Sequence, residues 1–261
     1  MATVTPVMAG RALEYWLRSY RGTWRASVFS GFLSPLLYLA SLGFGLGALI
    51  DRGPSGGVAG LPYAQYVAPG VLAVTAMQTA VGESTYTVMT AVRWQRFYFA
   101  MLATPLRVID VVLGHLGFIV FRLLLVTVTF AGVGAVLGAF TSGWVLAAVP
   151  VAVLVGLAHA TPVMAFSVGR ETDVGFGLLF RLVIVPMSLF AGTFFPVDQL
   201  PPGLRPLAWA APLWHGTEAA RALATGRFGL WPVTGHLAYL LVWTLGGLAA
   251  AVVCYRRTLV R

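Results

Sequence analysis

Among the ionisable residues inside long apolar stretches of this sequence are Glu83, His115, Arg122 and Arg181. A charge at hydrocarbon depth is costly, so such groups pair, face a bundle interior or line a polar path. At 1.5 Å per helical residue, Glu83 lies about 10 Å from the nearer end of its stretch. His115 and Arg181 fall at similar depth, and Arg122 lies two helical turns beyond His115, on the same face and deeper. The expectation is that Glu83 pairs with Arg181 or with Arg122. Three kinds of chemistry are open to such a pair: an ion pair that locks a bundle, a polar step on a substrate path, or a proton relay.

Other chemistry is missing. A phosphate-cradling loop of the form GxxxxGK[ST] needs a lysine, and all 17 basic residues here are arginine. ATP-driven work would therefore need a second polypeptide to hold the nucleotide. No HExxH, CxxC or GxSxG occurs. The eight acidic residues and four histidines are too dispersed for a metal cluster, and the lone Cys254 forms no internal disulfide. The chain is expected to carry no catalytic, cofactor or metal site. A net charge of +9 raises nucleic acid as a partner, but the arginines gather at the ends of apolar stretches, so no nucleic-acid partner is expected.

The elements that position these residues are helices in a bilayer. The chain is 59% hydrophobic and 10% charged, with a mean hydropathy of +0.85, against about 25% charge in soluble domains. Spanning takes about 20 apolar residues. Six spans are expected, near 27–49, 66–90, 108–139, 144–168, 175–195 and 233–255, making one all-α polytopic membrane domain over 1–261. The third is too long for one straight crossing, so part of it belongs at the interface. No cleavable signal peptide and no internal repeat is evident. Gly43 with Gly47, and Gly134 with Gly138, form GxxxG pairs that suit close packing, within the chain rather than at a dimer face.

Residues 8–25 read as an amphipathic interfacial helix. Leu13, Trp16, Leu17, Tyr20 and Trp24 share one face, and Arg11, Glu14, Arg18, Arg21 and Arg25 take the other. Segment 198–231, rich in proline and tryptophan, reads as an external amphipathic hairpin. With the N-terminus inside, eleven arginines fall on the cytoplasmic side (11, 18, 21, 25, 93, 96, 107, 170, 256, 257 and 261) and four outside (52, 205, 221 and 227). That bias puts both termini in the cytoplasm. The stretch AVRWQRFYFAMLATPLR at 91–107 then joins two spans on the cytoplasmic side. Its apolar, aromatic run flanked by arginines suits either a membrane surface or the groove of a partner.

The sequence resembles the permease subunits of type-2 ABC exporters (the ABC-2 family). It is most similar to the nodulation-factor (NodJ-type) lipo-oligosaccharide exporter permeases and next to the daunorubicin-resistance type. The resemblance rests on LSPLLYLASLGFGLGALI at 33–50, YVAPGVLAVTAMQTAVGESTY at 66–86 and RWQRFYFAMLATPLRVIDVVLG at 93–114. It continues through DVGFGLLFRLVIVPMSLFAGTFFPVDQLP at 173–201, PLWHGTEAARAL at 212–223 and the basic tail YRRTLVR.

The resemblance implies six spans, a connecting helix at 8–25, an external hairpin before the last span and a coupling helix at 93–104. Arg93, Trp94, Arg96, Phe97, Phe99 and Met101 would then contact an ATP-binding subunit. Two such subunits, holding ATP and Mg, would serve two membrane subunits, identical or paralogous. The family's route runs between the membrane subunits, which makes Leu36, Leu39, Phe44, Met187, Phe190 and Phe194 candidates for the substrate path. The implied cargo is amphipathic, a glycolipid or lipo-oligosaccharide or a hydrophobic drug, exported across the cytoplasmic membrane. An ion-coupled secondary transporter is the alternative. It predicts broken-helix repeats, which are not seen in the sequence.

Overall fold

The computed structural model describes residues 6–22, 24–54, 56–140, 142–226 and 229–260. Arg227 and Arg261, counted above for orientation, lie outside them. The regular elements among the described residues are all helical, and their only bridge of strand type is the Val58–Leu61 turn. In chain order come α1 (Pro6–Tyr20), a helical rod α2 over 24–51, α3 (Tyr63–Ser84), the short α4 (Phe97–Leu102), α5 (Val108–Val136) and α6 (Val145–Val168). A second rod α7 over 174–190, α8 (Arg205–Ala210), α9 (Pro212–Thr225) and α10 (Leu230–Leu259) complete the fold.

Three of these, α5, α6 and α10, are long and apolar enough to cross a membrane. At 29 residues α5 is about 44 Å long, beyond the roughly 30 Å hydrocarbon core. Helix α6 is the centre of the bundle, with α3, α5, α9 and α10 packed around it. Small residues allow this. A Cβ on Gly216 of α9 would sit 1.9 Å from a methyl of Val155 on α6, and one on Gly247 of α10 would sit 2.6 Å from Pro162 Cδ. Of the glycines paired in the sequence, three pack internally, while Gly138 lies past the end of α5 with nothing within 4 Å of a Cβ built there. Gly43 and Gly47 face Ala64 and Tyr63 of α3, and Gly134 faces the Phe140 ring.

Both rods contain π-helical turns, Leu39–Leu46 in α2 and Phe180–Ile184 in α7. Such wider turns are uncommon and mark functional or strained segments. The rods also carry outward-facing large apolar side chains, among them Leu37, Phe44, Leu49, Leu182 and Leu189.

Several sequence-based boundaries shift. The amphipathic helix stops at Tyr20, where Arg21 and Gly22 turn the chain back on Arg18 and Ser19. Trp24 and Arg25 therefore begin α2 and do not extend α1. The fifth apolar helix ends at Phe190, so Phe194 lies beyond it. Within the segment expected as an external hairpin, α9 packs against α3, α6 and α10, with Leu213, Gly216, Ala219 and Ala220 buried.

Candidate functional site

The connection between α3 and α5 turns sharply twice. A short helix Tyr86–Met89 runs into a π-helical turn Thr90–Trp94, and Arg96 then adopts a left-handed backbone with φ 53°. Helix α4 starts only at Phe97 and ends at Leu102, so the helix expected over 93–104 is shorter. The left-handed residue at its start cannot continue a right-handed helix. Pro105 follows its end and disfavours extension. The result is a pointed turn in which Arg93, Trp94 and Arg96 are exposed, Trp94 by 68%. Arg96 stacks over the Phe99 ring at 5.3 Å, and Arg93 donates to the Arg170 carbonyl at 3.2 Å. Phe97, Phe99 and Met101 lie half-buried against the core.

Behind this turn sits a packed aromatic cluster. Tyr98 is fully buried, and its hydroxyl lies 2.6 Å from His115 Nδ1 on α5. Burial pushes the Tyr98 phenol well above its ordinary range, so it stays protonated. Trp16 of α1 stacks on His115 at 4.2 Å and on Phe118 at 5.4 Å, and it meets Phe97 edge-on at 5.1 Å. Tyr255 near the end of α10 closes the cluster, 5.7 Å from Tyr98. One small helix thus touches three others: α1, α5 and α10. Gly114 makes the α1 contact possible, since a Cβ there would fall 2.4 Å from Ala12 Cβ.

Further along α5, Arg122 Nε donates to Glu83 Oε1 at 3.0 Å, and Arg122 Nη1 lies 3.0 Å from the Tyr20 hydroxyl. Thr87 adds a long contact to Glu83 at 3.5 Å. Of the two partners expected for Glu83, the structure brings Arg122 to it. Arg181 stands exposed on α7, in no ion pair among the described residues. The Glu83–Arg122 side chains are mostly covered, at 20% and 14% exposure. Three helices, α1, α3 and α5, meet at this pair.

The path residues scatter. Leu39 is 1% exposed and packs inside the main core. Phe44 and Phe190 are exposed, Leu36 is half-buried, and Phe194 packs against the core. Met187 and Phe190 line an apolar cleft of about 450 Å³ between α7 and α8, closed on its other side by Leu204 and Leu207. Met187 sulfur also lies 3.4 Å from His159 Nε2. Sequence reading missed Trp16, Tyr98 and Tyr255 as the cluster behind the Arg96 turn, and Tyr20 as a partner of Arg122. Only the shared aromatic content of 15–20 and 97–99 hinted at it.

Comparison with known sequences completes the site. The profile of the ABC-2 type transporter family matches residues 13–224. Nodulation protein J of Bradyrhizobium diazoefficiens is 30% identical over 264 aligned positions, covering 100% of this chain and 98% of that protein. Nodulation protein J of Rhizobium leguminosarum bv. trifolii is 32% identical, covering 95% and 94%. That of Rhizobium meliloti is 33% identical, covering 82% and 81%.

Proposed function

This chain belongs to the ABC-2 type transporter family, and from that premise we propose that it is the permease of an ATP-driven exporter moving an amphipathic lipo-oligosaccharide out across the cytoplasmic membrane. It is a multi-pass membrane subunit and not itself an ATPase; ATP is hydrolysed on separate subunits. In this reading the chain is one domain with six crossings, made by α2, α3, α5, α6, α7 and α10, with both termini in the cytoplasm and α8–α9 on the outer side. Two ATP-binding subunits, with ATP and Mg, and a second membrane subunit, the same or paralogous, complete the exporter. The resemblance to nodulation-factor exporter permeases favours a lipo-oligosaccharide over a hydrophobic drug.

The observation that carries this reading is the exposed apex Arg93–Trp94–Arg96 standing on a fully buried Tyr98. An apex of this kind transmits force only if its base does not yield. The Tyr98–His115–Trp16 cluster supplies that base and joins it to α1, α5 and α10. When ATP closes the nucleotide subunits, the apex is pushed, and α1, α3 and α5 move together because Glu83, Arg122 and Tyr20 tie them. The rods α2 and α7, with their outward apolar faces, are where two membrane subunits meet and part. The apolar cleft at Met187 and Phe190 suits an alkyl chain, its volume being within the roughly 300–1,000 Å³ of ligand pockets.

A photo-crosslinking residue, benzoylphenylalanine, placed at position 94 should capture a co-expressed ATP-binding subunit. The same group at Leu207, exposed on α8, should not. Capture from 207 and not from 94 would reverse the proposed orientation. Capture from neither would remove the ATPase contact.

A further inference from the structure

Beyond the coupling turn, the most elaborately built polar site lies at the other end of the bundle, around Arg221 of α9. Its side chain is 8% exposed, and every guanidinium nitrogen is engaged. Nε donates to the Tyr66 carbonyl at 3.1 Å, Nη2 to the Gly192 carbonyl at 2.6 Å, and Nη1 to Glu218. The guanidinium also lies 4.0 Å over the Tyr66 ring. Gly192 turns with φ 77°, and a Cβ there would come within 3.2 Å of Trp214 and 3.3 Å of Val197. These contacts fix one wall of a cavity of about 210 Å³. Trp209 and Asp198 line it too, Trp209 by 43% exposed and the Asp198 side chain in no ion pair among the described residues.

We infer that this cavity binds one sugar ring of a neutral glycan. The inference rests on the exporter reading only for its location on the outer side. The charges select the ligand. Glu218 is already neutralised by Arg221, so an organic cation would face the guanidinium and gain only the water-screened Asp198 carboxylate. An anion would meet the Asp198 carboxylate and find each Arg221 nitrogen already donating to the protein. A wholly apolar ligand would strip water from Asp198 and Glu218 without replacing its hydrogen bonds. A neutral polyol meets none of these penalties. Its hydroxyls donate to Asp198 and to the free oxygen of Glu218, and its C–H face lies on the electron-rich face of Trp209. Size agrees: drug-sized ligands take about 300–1,000 Å³, and this smaller cavity suits a single ring.

The test uses the purified chain in lipid nanodiscs, without any ATPase. Saturation-transfer NMR would be recorded with two neutral probes, cellotetraose and the tetramer of N-acetylglucosamine, and with tetramethylammonium. At least one saccharide should show saturable binding. Trp209→Phe, which keeps a ring, should bind nearly as the parent does, and Trp209→Ala and Asp198→Asn should each weaken binding about tenfold or more. Both side chains are exposed, so these variants should fold, which thermal unfolding checks. No saturable binding of either saccharide up to about 10 mM would overturn the proposal. So would saccharide binding that all three variants leave unchanged, or tetramethylammonium binding that Trp209→Ala abolishes while neither saccharide binds. No transport step enters this measurement, so its failure leaves the exporter reading intact. Loss of the ATPase contact would equally leave a sugar result readable.

Discussion

Glu83 and Arg122 are the residues where charge matters most. Removing one partner of a covered ion pair strands the other, which costs on the order of 3 kcal/mol. Glu83→Arg or Arg122→Glu alone should therefore lower the unfolding temperature of the purified protein, and the double exchange should recover part of the loss. If the double variant is no more stable than the worse single one, the pair does not hold the bundle. At the opposite end, His215 of α9 lies 2.8 Å Nδ1 to Nδ1 from His236 of α10 and stacks on Tyr239 at 3.8 Å. Burial, helped by His236 and opposed by a hydrogen bond to the Trp209 backbone, pulls the His215 pKa down to about 4. The unfolded chain takes up the proton near 6.5 and the folded one only near 4. Stability of α9 should thus be full above about pH 6.5 and fall as the pH drops toward 4. Hydrogen exchange of 212–225 should accelerate over that range, and His215→Gln should flatten the dependence. An unchanged slope in His215→Gln would assign the effect to another group.

At the scale of elements, the apolar stretches were legible because hydrophobic length and arginine placement are local signals. So was α1, since its two faces alternate with helical spacing and Glu14 and Arg18 pair across one turn at 2.5 Å. Its end was misread because Trp24 falls on the same helical spacing as Trp16 and Tyr20, while the break is made by the turn at Arg21 and Gly22. The π-helical turns of α2 and α7, the left-handed Arg96 and the partner of Glu83 depend on how helices pack, and a single sequence carries no such signal. The burial of Leu39 belongs to the same class. Backbone-close contacts make sharp predictions at this scale. Gly114→Leu should push α1 off α5, because even a Cβ there collides with the Ala12 backbone and side chain. Overpacking of this kind costs about 1–3 kcal/mol or more. Protease protection of 6–20 should fall. Full protection would mean that α1 is held by other contacts.

At the scale of the whole molecule, the proposed function is mechanical: one exposed turn, an aromatic base behind it, and two rods with apolar outer faces. The family was legible through motifs in register along the chain, and the aromatic base through none of them. The most direct test is ATP hydrolysis by the complex purified with a co-expressed ATP-binding subunit, comparing the parent with Trp94→Ala and Arg96→Glu. Both side chains are exposed, so thermal unfolding of the permease should not change. The account predicts that the ATPase co-purifies with the parent, and that each variant loses most of the binding or falls about fivefold or more in substrate-stimulated hydrolysis. Unchanged stimulation in both variants, or an ATPase that never co-purifies with the parent, would contradict the coupling claim and return the ion-coupled alternative.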